Sequence, residues 1–192
     1  MRRLLISGTF MLVCLALTAR TAHAQGFIAP FLGFNYGGDA QCPTLNSPCE
    51  NKSRNIGIGF GKLGAVGYEL EIGYASNFFG DNAGVASNLL TFTSNLLIAP
   101  KIGPVRPYVL GGFGIIKTRL EAIDSSLLST SNTNYGYDLA AGVMIFFGDH
   151  FGIRGDLRRF KSFDDSGLFA VLPGSGEKIQ FNRAAGALVL AF

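Results

Sequence analysis

Hydrophobic and polar side chains alternate with period two through eight successive stretches of this chain. Neighbouring side chains of a strand point to opposite faces, so this period marks strands with one apolar face. The pattern predicts strands over 26–36, 55–62, 66–78, 88–100, 106–118, 135–147, 151–163 and 180–192. The third is the clearest: Val66, Tyr68, Leu70, Ile72 and Tyr74 take one face, and Gly67, Glu69, Glu71, Gly73 and Ala75 take the other. The seventh sets Ile153, Gly155 and Leu157 against Arg154, Asp156 and Arg158; the second sets Ile56, Ile58 and Phe60 against three glycines. In the sixth, the odd positions from Tyr135 to Phe147 oppose Gly136, Asp138, Ala140 and Gly142. The first, fifth and eighth are weaker. Pro107, Val109, Gly111, Phe113 and Ile115 are read as facing outward, although Tyr108, Leu110 and Ile116 are apolar too.

The connections alternate in length. Those over 37–54, 120–134 and 164–179 are long and 79–87 is moderate, while 63–65, 101–105 and 148–150 are short. Membrane barrels have short turns at one end and longer loops at the other, and an even strand number brings both termini to the short-turn end. Each run is close to the ~9–11 residues that a strand needs to cross a bilayer. The fold class that follows is all-β: an eight-stranded antiparallel up-and-down transmembrane β-barrel. A soluble eight-stranded barrel has no reason to keep this alternation of loop lengths.

Composition agrees. The chain is 48% hydrophobic and only 15% charged, against about a quarter charged in ordinary soluble domains. Its 26 glycines suit a narrow barrel, where small residues make room for long ones. The first 24 residues read as a removable export signal rather than part of the fold. Arg2 and Arg3 precede the apolar stretch 4–17, and Ala22-His23-Ala24 is a small-x-small cleavage site before Gln25. The domain expected is thus 25–192. Cys14 follows Val13, not the small residue that lipid attachment requires. Arg2, Arg3 and Arg20 leave with the signal, so basic and acidic residues balance at 13 each. No polybasic footprint for nucleic acid remains. Cys42 and Cys49, separated by a segment bent by two prolines, are expected to form a local disulfide in an oxidising compartment. No histidine lies near them to complete a metal site.

The inner faces hold the charges. Glu69, Glu71, Asp138, Arg154, Asp156, Arg158 and Arg183 all fall on predicted lumen positions. Arginine facing lipid at mid-depth would cost about 2–4 kcal/mol, so strand phase sends these side chains inward. Strands three and seven oppose one another across a lumen just wide enough for side chains to fill. The expectation is a network from Glu69 and Glu71 to Arg154 and Arg158 that plugs the interior. A gated narrow pore for small solutes is the alternative reading. A catalytic carboxylate pair is disfavoured, because the site would be sealed and arginines would keep both groups ionised. His150 falls in a short turn at the end away from the long loops, so Ser–His nucleophilic catalysis at the outer face has no histidine. The Gly57–Gly61 alternation lacks the helix and Lys-Ser/Thr of a phosphate loop. No cofactor or metal is expected. The run 168–173 is apolar where solvent is expected, and could touch a partner, dip into headgroups or extend a hairpin.

At this point the chain resembles the small outer-membrane barrels of the outer membrane protein A and X type. The resemblance rests on the opening Gly26-Phe27-Ile28-Ala29-Pro30-Phe31-Leu32-Gly33-Phe34, on the Arg106–Gly114 stretch, on Gly152-Ile153-Arg154-Gly155-Asp156-Leu157-Arg158, and on the terminal Phe192. It covers the expected mature chain. The absence of Trp departs from relatives, leaving Tyr and Phe to fill the aromatic girdles. The resemblance implies a bacterial outer-membrane location, with outer-membrane lipid and the barrel-insertion machinery as partners and Phe192 as an insertion signal. No peptidoglycan-binding domain is expected to follow. It also implies a structural or surface-interaction role, with 37–54 and 164–179 as the surfaces for a ligand or host-cell partner. A lipid-modifying enzyme and a secreted soluble ligand-binding barrel are the remaining readings.

Overall fold

The computed structural model describes residues 25–40, 53–76, 78, 85–122, 129–163 and 179–192. The eight strands are β1 (Gln25–Tyr36), β2 (Arg54–Leu63), β3 (Val66–Ser76), β4 (Val85–Ile98), β5 (Val105–Ala122), β6 (Ser129–Phe146), β7 (Phe151–Ser162) and β8 (Gln180–Ala191). Each pairs antiparallel with its chain neighbours, and β1 pairs with β8, so the sheet closes in the order β1 to β8. Closure leaves no sheet edge, the condition for a strand structure to cross lipid with its amides satisfied.

Strand phase decides what faces where. Leu32, Phe92, Leu96, Val109, Phe113 and Leu139 lie exposed on the outer wall. A continuous apolar wall of this extent is foreign to a soluble monomer and matches a lipid-facing belt. Phe192, 71% exposed, stands at the short-turn end of this wall, and its N–H donates to Gly26 O at 2.9 Å. The opposite positions of the same strands are buried in the lumen, among them Glu69, Glu71, Arg154, Arg158 and Arg183.

Glycines make the interior fit. Gly57 leaves the space that the Phe31 ring occupies: a Cβ there would lie 2.4 Å from Phe31 Cζ and 2.2 Å from the Ile72 carbonyl oxygen. Gly57→Val is therefore expected to destabilise the barrel by about 1–3 kcal/mol, the usual cost of overpacking. A lowered urea midpoint in lipid vesicles is the check. At Gly148 the reason is the backbone instead, because its φ of 87° in the β6–β7 turn is one that L side chains rarely adopt.

Gln25, Phe192 and the turns at 64–65, 99–104 and 147–150 share one end of the cylinder, and the strand ends that the longer connections join lie at the other. Two strands depart most from expectation. β5 and β6 run 18 residues each, well past the 106–118 and 135–147 of the sequence reading. The stretch 129–134, read as a polar loop, is strand paired with 116–121 of β5. Period-two apolarity marks only the part of a strand that faces lipid; above that belt a hairpin can continue with Ser, Thr and Asn on both faces. β3 ends at Ser76 and β4 starts at Val85, also shifted toward the long-loop end of β4. The expected signal segment 1–24, Cys42 and Cys49, and the apolar run 168–173 lie outside the described residues.

Candidate functional site in the barrel lumen

The lumen is built in three layers. At the short-turn end, Phe27, Leu63, Leu97, Tyr108, Met144 and Val189 form a buried apolar cluster. At the long-loop end, Phe78, Leu89, Ile116, Phe160, Ile179 and Phe181 form another. The Phe181 ring stacks on Phe160 at 4.7 Å and meets Phe78 edge-on at 4.9 Å. The charged side chains lie between the two.

β3 supplies Glu69 and Glu71, β6 supplies Asp138, β7 supplies Arg154, Asp156 and Arg158, and β8 supplies Arg183. Arg158 is the hub. Its Nη2 donates to Glu69 Oε1 at 2.8 Å and lies 3.0 Å from Glu71 Oε2, and its Nη1 donates to Asp138 Oδ2 at 3.0 Å. Arg154 reaches across the barrel and pairs with Glu69. Its Nε also lies 2.9 Å from Asp156 Oδ2. Arg183 grips Glu71 with two parallel bonds of 2.8 and 2.9 Å, the two-point geometry that suits a planar guanidinium. The structure thus brings every one of these seven residues into one assembly, with Glu69 and Glu71 facing Arg154 and Arg158 across the lumen.

Other residues complete it. Tyr108 donates to Asp156 Oδ2 at 2.7 Å and accepts from Arg154 Nε at 2.6 Å, while the Arg154 guanidinium lies 4.6 Å from the Tyr108 ring centroid. Arg183 lies 4.3 Å over the Phe31 ring. In the amide orientation that satisfies its neighbours, Asn95 donates to Asp138 Oδ1 at 2.8 Å and accepts from Thr93 Oγ1 at 3.0 Å. Tyr108 was read in the sequence only as an ambiguous apolar residue, and Asn95 was not singled out. A signal for both was present: Tyr108 shares the inward parity of β5, and Thr91, Thr93 and Asn95 form a polar odd-numbered stripe opposite Leu90, Phe92 and Leu96.

The carboxylates are engaged by guanidiniums and lie between the two apolar clusters. His150 is exposed in the short turn 147–150, which opens the strand that carries Arg154 and lies at the end of the cylinder away from the long connections. Among the described residues no group of His, Cys, Asp and Glu is arranged to hold a metal ion.

The profile of the outer membrane protein beta-barrel domain family matches residues 10–192. The chain belongs to this family. Its location is accordingly the bacterial outer membrane. Members expose long loops outside and short turns to the periplasm, which makes the turn at 147–150 periplasmic and the Phe78–Phe160–Phe181 layer the outer one. Solved members of the same architecture are similar in fold at low identity. Neisserial surface protein A is 11% identical with a TM-score of 0.64, covering 90% of this chain and all of that one. The N-terminal barrel of Pseudomonas aeruginosa OprF is 13% identical with a TM-score of 0.51, over 88% of this chain and all of that one. Ail of Yersinia pestis, the attachment invasion locus protein, solved with the heparin analogue sucrose octasulfate, is 11% identical with a TM-score of 0.53, over 87% and 99%. No curated protein matches the chain by sequence.

Proposed function

We propose that this protein is a structural outer-membrane barrel with a closed lumen, which presents its long connections, 37–53 and 163–179 foremost, to partners at the cell surface. The observation that carries the reading is the layered interior, an ion-pair network held between two apolar clusters. Water-filled conduction needs a continuous polar path, and here hydrophobic side chains span the lumen above and below the charges. The neisserial surface protein and the attachment invasion locus protein share the architecture, which supports a surface role. The exposure of Phe192 at the periplasmic end of the last strand supports a role for it as a signal to the insertion machinery.

The test is planar-bilayer recording of the purified, refolded full chain. No single-channel steps are expected. Steady unitary steps in the unmodified protein would replace this reading with that of a narrow pore.

A further inference from the structure

The outer wall carries a groove as well as a belt. Between β5, β6, β7, β8 and β1 runs a depression of about 390 Å³, whose outer-wall lining includes Val109, Leu139, Ala141, Leu157, Arg159 and Tyr36, a volume within the range of ligand clefts. The register explains its shape. Val109, Ala141 and Leu157 form one row across neighbouring strands, and Leu139, Arg159, Asn182 and Tyr36 form the next row toward the outer end. Ala141 is the small residue that lets the floor sink between its neighbours. The floor is apolar and the head is cationic and hydrogen-bonding.

Arg159, Arg54 and Lys117 are exposed and Lys161 is half-buried, and among the described residues none of the four makes an ion pair. All four sit on outward positions near the extracellular ends of their strands. Asp39, an exposed carboxylate at that end, is occupied by the Gln180 N–H at 2.6 Å. A cation on a lipid-facing wall is tolerated near the interface, where it can reach anionic headgroups. A second groove on the far wall repeats the composition, with Leu90 below and Tyr74, Asn88, Lys117 and Arg119 around it.

We infer that the Arg159 groove binds a phosphorylated, acylated lipid of the outer leaflet. One acyl chain lies along Val109, Leu139, Ala141 and Leu157, and the phosphate is held by Arg159 with Asn182 and Tyr36 as hydrogen-bonding neighbours. The occupant is a lipid and not a free anion, because the floor of the groove is continuous with the membrane belt and only a molecule with a tail can cover both parts.

Native mass spectrometry of the purified, folded full chain tests this, with bisphosphorylated lipid A as the probe. The protein is expected to retain lipid A. Arg159→Gln is expected to lower retention about tenfold, the weight of one charge-assisted hydrogen bond, and Arg159→Lys to restore most of it. Ala141→Phe, which fills the floor and leaves the cation in place, is expected to lower retention too. A heat-shifted gel band confirms that each variant is folded. Equal retention by Arg159→Gln, no recovery with Arg159→Lys, or equal retention by Ala141→Phe would overturn the assignment. So would retention of dephosphorylated lipid A as strong as that of the parent lipid, or displacement of lipid A by inorganic phosphate.

Discussion

Replacing Arg158 by methionine is expected to destabilise the folded barrel by about 3–5 kcal/mol, the cost of breaking a buried ion pair from one side. Arg158 is 1% exposed and faces Glu69, Glu71 and Asp138 at 2.8 to 3.0 Å. Methionine keeps much of the length and packing of the side chain, so the change removes charge more than volume. Three carboxylates are then left close together with less positive charge among them, between apolar layers that limit access of water. The measurement is urea unfolding in lipid vesicles, followed by the heat-shifted band on a gel. If the loss were below about 1 kcal/mol, the pairs would be behaving like solvated surface pairs, and the sealed interior would be wrong. The companion variant Arg183→Met separates hub from spoke. Among the carboxylates of the described residues Arg183 is bonded to Glu71, and Glu71 keeps Arg158, so a smaller loss is expected.

The charged network was legible in the sequence for a simple reason. In a membrane barrel the two faces of a strand meet opposite solvents, so every ionisable residue within the belt is forced to one side. Once Tyr68, Leu70 and Ile72 were assigned to lipid, Glu69 and Glu71 had one remaining direction; Ile153 and Leu157 did the same for Arg154, Asp156 and Arg158. The alternation of connection lengths supplied the up-and-down order independently. Individual partners were less legible. Which guanidinium meets which carboxylate depends on the stagger between strands, and nothing in the spacing of a single strand reports stagger. Arg183 illustrates this: its phase sent it inward, but its pairing with Glu71 requires the closed register of β8, β1, β2 and β3.

Two further features escaped for physical reasons. The outer part of β6 is polar on both faces, so Asn132, Thr133 and Asn134 carry no period and look like a loop, although Asn134 is buried. The apolar layers were hidden because a lumen-facing Phe or Leu breaks alternation and looks like noise. Phe181 and Val189 blur β8 in this way, and Tyr108, Leu110 and Ile116 blur β5. These breaks mark the places where the interior is closed. In a narrow barrel, the weakness of a strand's pattern is thus itself a signal that its inner face is packed with apolar side chains.

That closure leads to the second large effect. Phe181→Ala is expected to cost about 3–5 kcal/mol, typical of removing a fully buried aromatic ring, while leaving the protein non-conducting. Phe181 is fully buried and holds Phe78 and Phe160 together by ring contacts, so its loss opens a cavity in the outer layer. The ion-pair layer and the periplasmic cluster of Phe27, Leu63, Leu97 and Met144 remain in series beneath it. Barriers in series do not fail together when one is removed. The urea midpoint should therefore fall sharply while bilayer recordings stay flat. Conductance appearing in Phe181→Ala would mean that the outer aromatic layer alone holds the lumen shut and that the charged layer beneath it already passes ions. An unchanged midpoint would mean that the three rings are not packed as a unit.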